Sequence, residues 1–124
     1  MSAVDELPDL PGIDKADGLK RMMNKPALYE KILREFHARL VDAPATIRTA
    51  LSKGDFETAE RHAHSAKGLS GTIGAMELQE AARTLEKTLH DGIHPSATVF
   101  EQFERTLATV NQGIALGFGI EASN

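Results

Sequence analysis

The chain has 124 residues, 41% of them hydrophobic and 26% charged, a balance that suits one globular domain and argues against general disorder. A formal charge of -4 leaves no basic field to hold a phosphate backbone, so nucleic acid is not an expected partner. Cysteine is absent, which removes disulfides, zinc-thiolate sites and thiol nucleophiles together.

Residues 1–12 contain Pro8, Pro11 and Gly12 among acidic side chains, a composition that reads as a linker-like lead-in. Such a lead-in fits the end of an interdomain connection, and so a chain cut from a longer protein. The start Met1-Ser2-Ala3-Val4-Asp5-Glu6 lacks the basic and apolar regions of a signal peptide. The domain is expected over residues 13–116, with 117–124 as a C-terminal tail.

From Asp14 onward the apolar residues recur at helical spacing, and no stretch alternates cleanly as a half-buried strand would. A short first helix is predicted from Asp14 to Met23, with Leu19, Met22 and Met23 on one side. The next segment opens at Pro26 and carries Leu28, Ile32, Leu33, Phe36, Leu40, Ile47 and Leu51. Pro44 interrupts it, and the reading is one long helix kinked there, the alternative being two helices with Asp42 capping the second. Asp55 caps the third helix, whose face is Phe56, Ala59, Ala63, Ala66, Ser70 and Ile73, and Gly74 ends it. A fourth carries Leu78, Ala82, Leu85 and Leu89 and stops at Gly92. Pro95 opens a fifth with the stripe Phe100, Phe103, Leu107, Val110 and Ile114.

Helices with one apolar stripe each, joined by short connections, bury those stripes most simply as an all-α, antiparallel up-down four-helix bundle, with the first short helix as an extra lid. No apolar stretch approaches the roughly 20 residues of a membrane span. A cytoplasmic chain without direct membrane contact is the expectation.

At about 100° per residue, His64, Lys67, Gly68 and Gly71 fall within one arc of the third helix, beside its apolar face. Two glycines inside a helix each cost about 1 kcal/mol relative to alanine, so something other than helix propensity keeps Gly68 and Gly71 there. Space is one such requirement, since glycines beyond His64 leave its imidazole open to a second protein. Histidine as a residue type has an ordinary pKa of about 6.5, is largely neutral at cellular pH, and offers a lone pair that can attack phosphorus. Lys67 places a positive charge one turn from a phosphoryl group on that ring. On the same helix His62 lies about 160° away and reads as a partly buried structural residue. His37, His90 and His94 have no comparable setting.

The run His64-Ser65-Ala66-Lys67-Gly68, followed by Gly71, Gly74-Ala75, Leu78 and Leu85-Glu86, resembles the signature of bacterial histidine-containing phosphotransfer (HPt) domains. Gly12-Ile13-Asp14, Gly18-Leu19 and the stretch from Tyr29 to Phe36 resemble the opening of such modules at the C-terminal ends of hybrid sensor kinases. The resemblance implies a four-helix bundle, phosphorylation of His64, and exchange with the aspartate of a response-regulator receiver domain in a multistep relay. It implies Lys67 as the charge partner and Gly68 as the clearance position, with Gly71 also facing the partner. Ala66 stands where the family usually has a larger apolar residue, and Leu69 where it often has a small one.

Phosphoryl transfer normally needs a divalent cation, and no carboxylate cluster surrounds His64 in the sequence, so Mg2+ is expected on the receiver and no cofactor on this monomeric chain. No P-loop or kinase nucleotide motif is present, so autonomous use of ATP is not expected. The competing reading is a helical docking module that binds partners without carrying phosphate. A metal or haem bundle would use inward Glu-x-x-His ligands, and none of the five histidines has Glu three residues before it.

Overall fold

The computed structural model describes residues 2–121. Among them the chain forms one short 3-10 helix, Ala3–Glu6, and six α-helices: α1 Lys15–Arg21, α2 Pro26–Leu40, α3 Ala43–Ser52, α4 Phe56–Ile73, α5 Met76–His90 and α6 Ala97–Phe118. Local chemistry fixes the starts of several. The side chains of Asp14, Asp55 and Ser96 each accept a hydrogen bond from the backbone N–H three residues on, occupying donors that the first helical turn leaves free. Ser96, rather than Pro95, is thus the residue that opens the last helix, and Pro95 is buried just before it.

The long kinked helix expected over residues 26–54 is instead two helices, α2 and α3, separated by a tight turn at Val41–Asp42. Proline inside a helix lacks the amide hydrogen and crowds the preceding turn, so the chain breaks just ahead of Pro44 and restarts with that residue in the first turn of α3. Asp42 occupies the capping position, but its side chain makes no capping hydrogen bond. The apolar stripes are buried much as their spacing predicts: Leu33, Phe36 and Leu40 from α2, Ile47 from α3, Leu78, Leu85 and Leu89 from α5, and Phe103, Leu107, Val110 and Ile114 from α6. Together α2 with α3, α4, α5 and α6 make the four arms of an antiparallel bundle, in which α4 packs against α3 and α5, and α6 against α5 and α2.

Of the segment 1–12, expected as linker, the described residues 2–12 do not hang free. Leu7 and Leu10 are in the core, Pro8 lies against Gly117 and Pro11 against Gly113, and the Lys15 ammonium donates to the Pro8 carbonyl at 3.0 Å. The proline-rich composition that suggested a linker serves here as a stiff strap, laid where two glycines one turn apart leave a groove on α6. At the other end α6 continues through Phe118, and Phe118 and Ile120 pack partly against the core, so the bundle runs beyond residue 116. The rest of the expected tail, residues 122–124, lies outside the described residues.

The end of α4 is the best anchored point. Gly74 adopts φ +85°, a left-handed geometry that glycine reaches without steric penalty, and its carbonyl accepts from the Asp14 N–H at 2.9 Å. The hydroxyl of Tyr29, fully buried, donates to the Ile73 carbonyl at 2.6 Å across the same junction. Burial first, then the nearby Asp14 and Asp17 carboxylates, pushes the Tyr29 phenol far above its ordinary value.

Tyr29→Phe should therefore lower stability by about 1–2 kcal/mol in urea unfolding, because it leaves the Ile73 carbonyl buried and unpaired. The wild type's stability should hold below pH 10, the ordinary phenol value, and fall as pH rises past it, since the unfolded chain ionises where the fold resists. The variant should lack that component of the alkaline loss.

Candidate functional site

His64 stands on α4 at the edge of its buried alanine face, between Ala63 and Ala66, and its side chain is 69% exposed. The ring is not free, however. Its Nδ1 is hydrogen-bonded to Oε2 of Glu86 on α5, and the other carboxylate oxygen accepts from the Lys67 ammonium at 2.6 Å. Glu86 is thus a bridge: one side chain from α5 ties two positions of α4, one turn apart, into a single unit.

Glu86 is 17% exposed. That partial burial pushes its carboxyl upward, but the hydrogen bonds from Lys67 and His64, with their charges, outweigh it and hold the group below the usual carboxylate range. An ionised carboxylate has only lone pairs to offer, so the hydrogen in the contact lies on Nδ1. In the neutral ring Nε2 then keeps its lone pair and faces away from Glu86. The carboxylate therefore selects which nitrogen is nucleophilic.

Gly68, one turn beyond His64, is exposed, and a Cβ built on it would meet nothing within 4 Å. The backbone is therefore open to approach at this position. Two other expectations need correction. Lys67 is not a free charge beside the imidazole but is 27% exposed and paired with Glu86. Gly71 does not face outward at all: it is buried, and a Cβ there would collide with the side-chain amide of Gln79. Close to the turn at Gly74–Ala75 the two helices of the hairpin converge, and the first turn of α5 covers what helical spacing alone places on the open strip. The glycine serves the α4–α5 contact.

A second pair lies along the same seam. His90 of α5 contacts Glu60 of α4 through Nδ1 at 2.7 Å, and this hydrogen bond, together with the carboxylate's charge, raises the His90 pKa. In the sequence Glu86 enters only as part of the family signature, with no role attached, and His90 has no distinguishing setting. Both follow from antiparallel register, since the pairing that sets residue 86 opposite 64 also sets 90 opposite 60. Among the described residues no group of three or more His, Cys, Asp or Glu side chains is placed to hold a metal ion, and no helix is long and apolar enough to cross a membrane.

Comparison with known proteins places this arrangement. Residues 31–113 match the family described as the Hpt domain. The fold is similar to the crystal structure of histidine-containing phosphotransfer protein B (HptB) from Pseudomonas aeruginosa PAO1, with a TM-score of 0.76 and 23% sequence identity over 92% of this chain and 100% of that one. No curated protein sequence gives a significant match.

Nitrogen NMR of His64 at alkaline pH should show the ring mainly as the Nδ1–H tautomer in the wild type. Glu86→Ala should shift the balance toward Nε2–H, and unchanged nitrogen shifts in that variant would show that the carboxylate does not set the tautomer.

Proposed function

Since the chain belongs to the Hpt domain family and is a histidine phosphotransfer module of a phosphorelay, a class that works with the receiver domains of response regulators, we propose that His64 is the residue that carries the phosphoryl group. The observation that carries this assignment is an exposed imidazole whose Nδ1 is committed to an ionised carboxylate, beside a glycine with open space around it.

In the forward step the Nε2 lone pair attacks the phosphorus of an aspartyl phosphate on the receiver. The Nε2–P bond forms as the acyl P–O bond breaks, and that bond's electron pair returns to the receiver's carboxylate. The ring keeps its Nδ1 hydrogen and becomes a positively charged phosphoimidazolium, opposite the negative charge of Glu86. The reverse step uses the same groups, with nitrogen as the leaving atom. Lys67 acts mainly through Glu86: its ammonium holds the carboxylate ionised and in place, and adds positive charge one turn from the phosphoryl group. Gly68 leaves room for the receiver's backbone.

Charge neutralisation by a divalent cation, the usual companion of phosphoryl transfer, is assigned to the receiver, a reading supported by the finding that among the described residues no group of three or more His, Cys, Asp or Glu side chains is placed to hold a metal ion. The carrier is read as a monomer. A phosphoryl group that derives from ATP through a kinase is the chemistry that supports a cytoplasmic location.

A transfer assay against a panel of phosphorylated receiver domains tests the assignment. Wild type should acquire acid-labile phosphate, and His64→Gln should acquire none; label that persists in His64→Gln would refute it. Lys67→Ala should slow transfer by about tenfold or more while the bundle stays folded, the scale expected when a charged hydrogen bond in the low kcal/mol range is lost. Gly68→Leu should fold at least as stably as wild type, because glycine is a poor helix former and the position is open, yet transfer should fall sharply.

A further inference from the structure

The cation expected to meet the phosphoryl group, Lys67, is already engaged by Glu86. In an α-helix side chains lean back toward the N-terminus, so a residue covers the turn that precedes it. His64 accordingly borders a shallow open hollow of about 240 Å³ formed with Glu57, Glu60, Arg61 and Glu86, and neither Lys67 nor Gly68 lines it. A phosphoryl group carried on this ring has the rim of the hollow among its neighbours.

Within that rim the charges are unequally committed. Glu86 is bound by His64 and Lys67, and Glu60 is bound by His90. Arg61 is different. It sits one turn before His64, is exposed, and among the described residues its guanidinium makes no ion pair, its contact being a 3.3 Å hydrogen bond to the Thr58 hydroxyl. A planar guanidinium with several donors matches the oxygens of a phosphoryl group, whereas Glu57 and Glu60 on the same rim would repel one. An acidic rim with one uncommitted arginine suits a site where the anion arrives on the histidine itself.

We propose that Arg61 is a phosphoryl-binding residue of this module, its guanidinium donating to the phosphoryl oxygens on His64 once the ring is phosphorylated, while Lys67 remains bound to Glu86. The assignment rests on His64 as the phosphorylated residue. It divides between two cations the work that spacing gives to one: Lys67 positions the ring through Glu86, and Arg61 meets the phosphoryl charge.

The test is to phosphorylate the full chain with phosphoramidate and follow the phosphorus NMR signal of phospho-His64 as pH is varied. In the wild type the second ionisation of the phosphoryl group should occur at lower pH than in Arg61→Gln, by about half a pH unit, the size expected for an exposed charge pair. Arg61→Lys should restore part of the difference, because it returns the charge without the planar fork. Lys67→Gln should move the midpoint less than Arg61→Gln does. Equal midpoints in wild type and Arg61→Gln, or a larger shift in Lys67→Gln, would overturn the role of Arg61 while leaving His64 as acceptor. A phosphorus signal that survives in His64→Gln instead overturns the His64 assignment, and the proposal with it. Circular dichroism of the Arg61 variants should match wild type, since the side chain is exposed and makes one weak local contact.

Discussion

One carboxylate organises the functional end of this molecule. Glu86 reaches from α5 to α4, accepts from the imidazole on one oxygen and from an ammonium on the other, and stays ionised because both partners donate to it. Without it the imidazole would rotate as a solvated side chain and either ring nitrogen could carry the hydrogen. With it, the choice of nitrogen is made before any partner arrives. Lys67 and Glu86 are each only partly exposed, so solvent screens this bridge less than it would an ordinary surface ion pair.

That bridge depends on register between α4 and α5, and much of the fold serves to keep it. The alanine face of α4 and the absence of a side chain at Gly71 let α5 lie close, with Gln79 folded over the gap. The turn at Gly74 fixes where α5 starts, and it is held from outside by Asp14 and Tyr29. A slip of one residue there would rotate position 86 by about 100° and carry the carboxylate away from the imidazole. Residues far from His64 in sequence thus bear on its chemistry through the hairpin's alignment.

The sequence revealed most of the fold because its helices obey local rules: stripes at helical spacing, aspartates at starts, glycines at ends. It also singled out His64, since glycines beside a histidine are costly in a helix and call for a reason. It was less informative where two segments meet. Glu86 is visible there only as one residue of a signature and His90 not at all, and neither has a partner until α5 is laid against α4. Gly71 satisfies the same spacing as Gly68 and differs only because the hairpin closes over it. The break before Pro44 and the packing of Pro8 and Pro11 show the same limit: proline tells where a helix stops, but not what the chain beyond it touches.

The imidazole stands largely exposed at the rim of a shallow hollow, with one nitrogen held by a carboxylate and the other left free. Among the described residues no segment closes over that ring, so a partner can meet it and leave it by the same open route. Which way the cargo moves is then a matter of mass action, set by how many charged and uncharged partners surround it at a given moment.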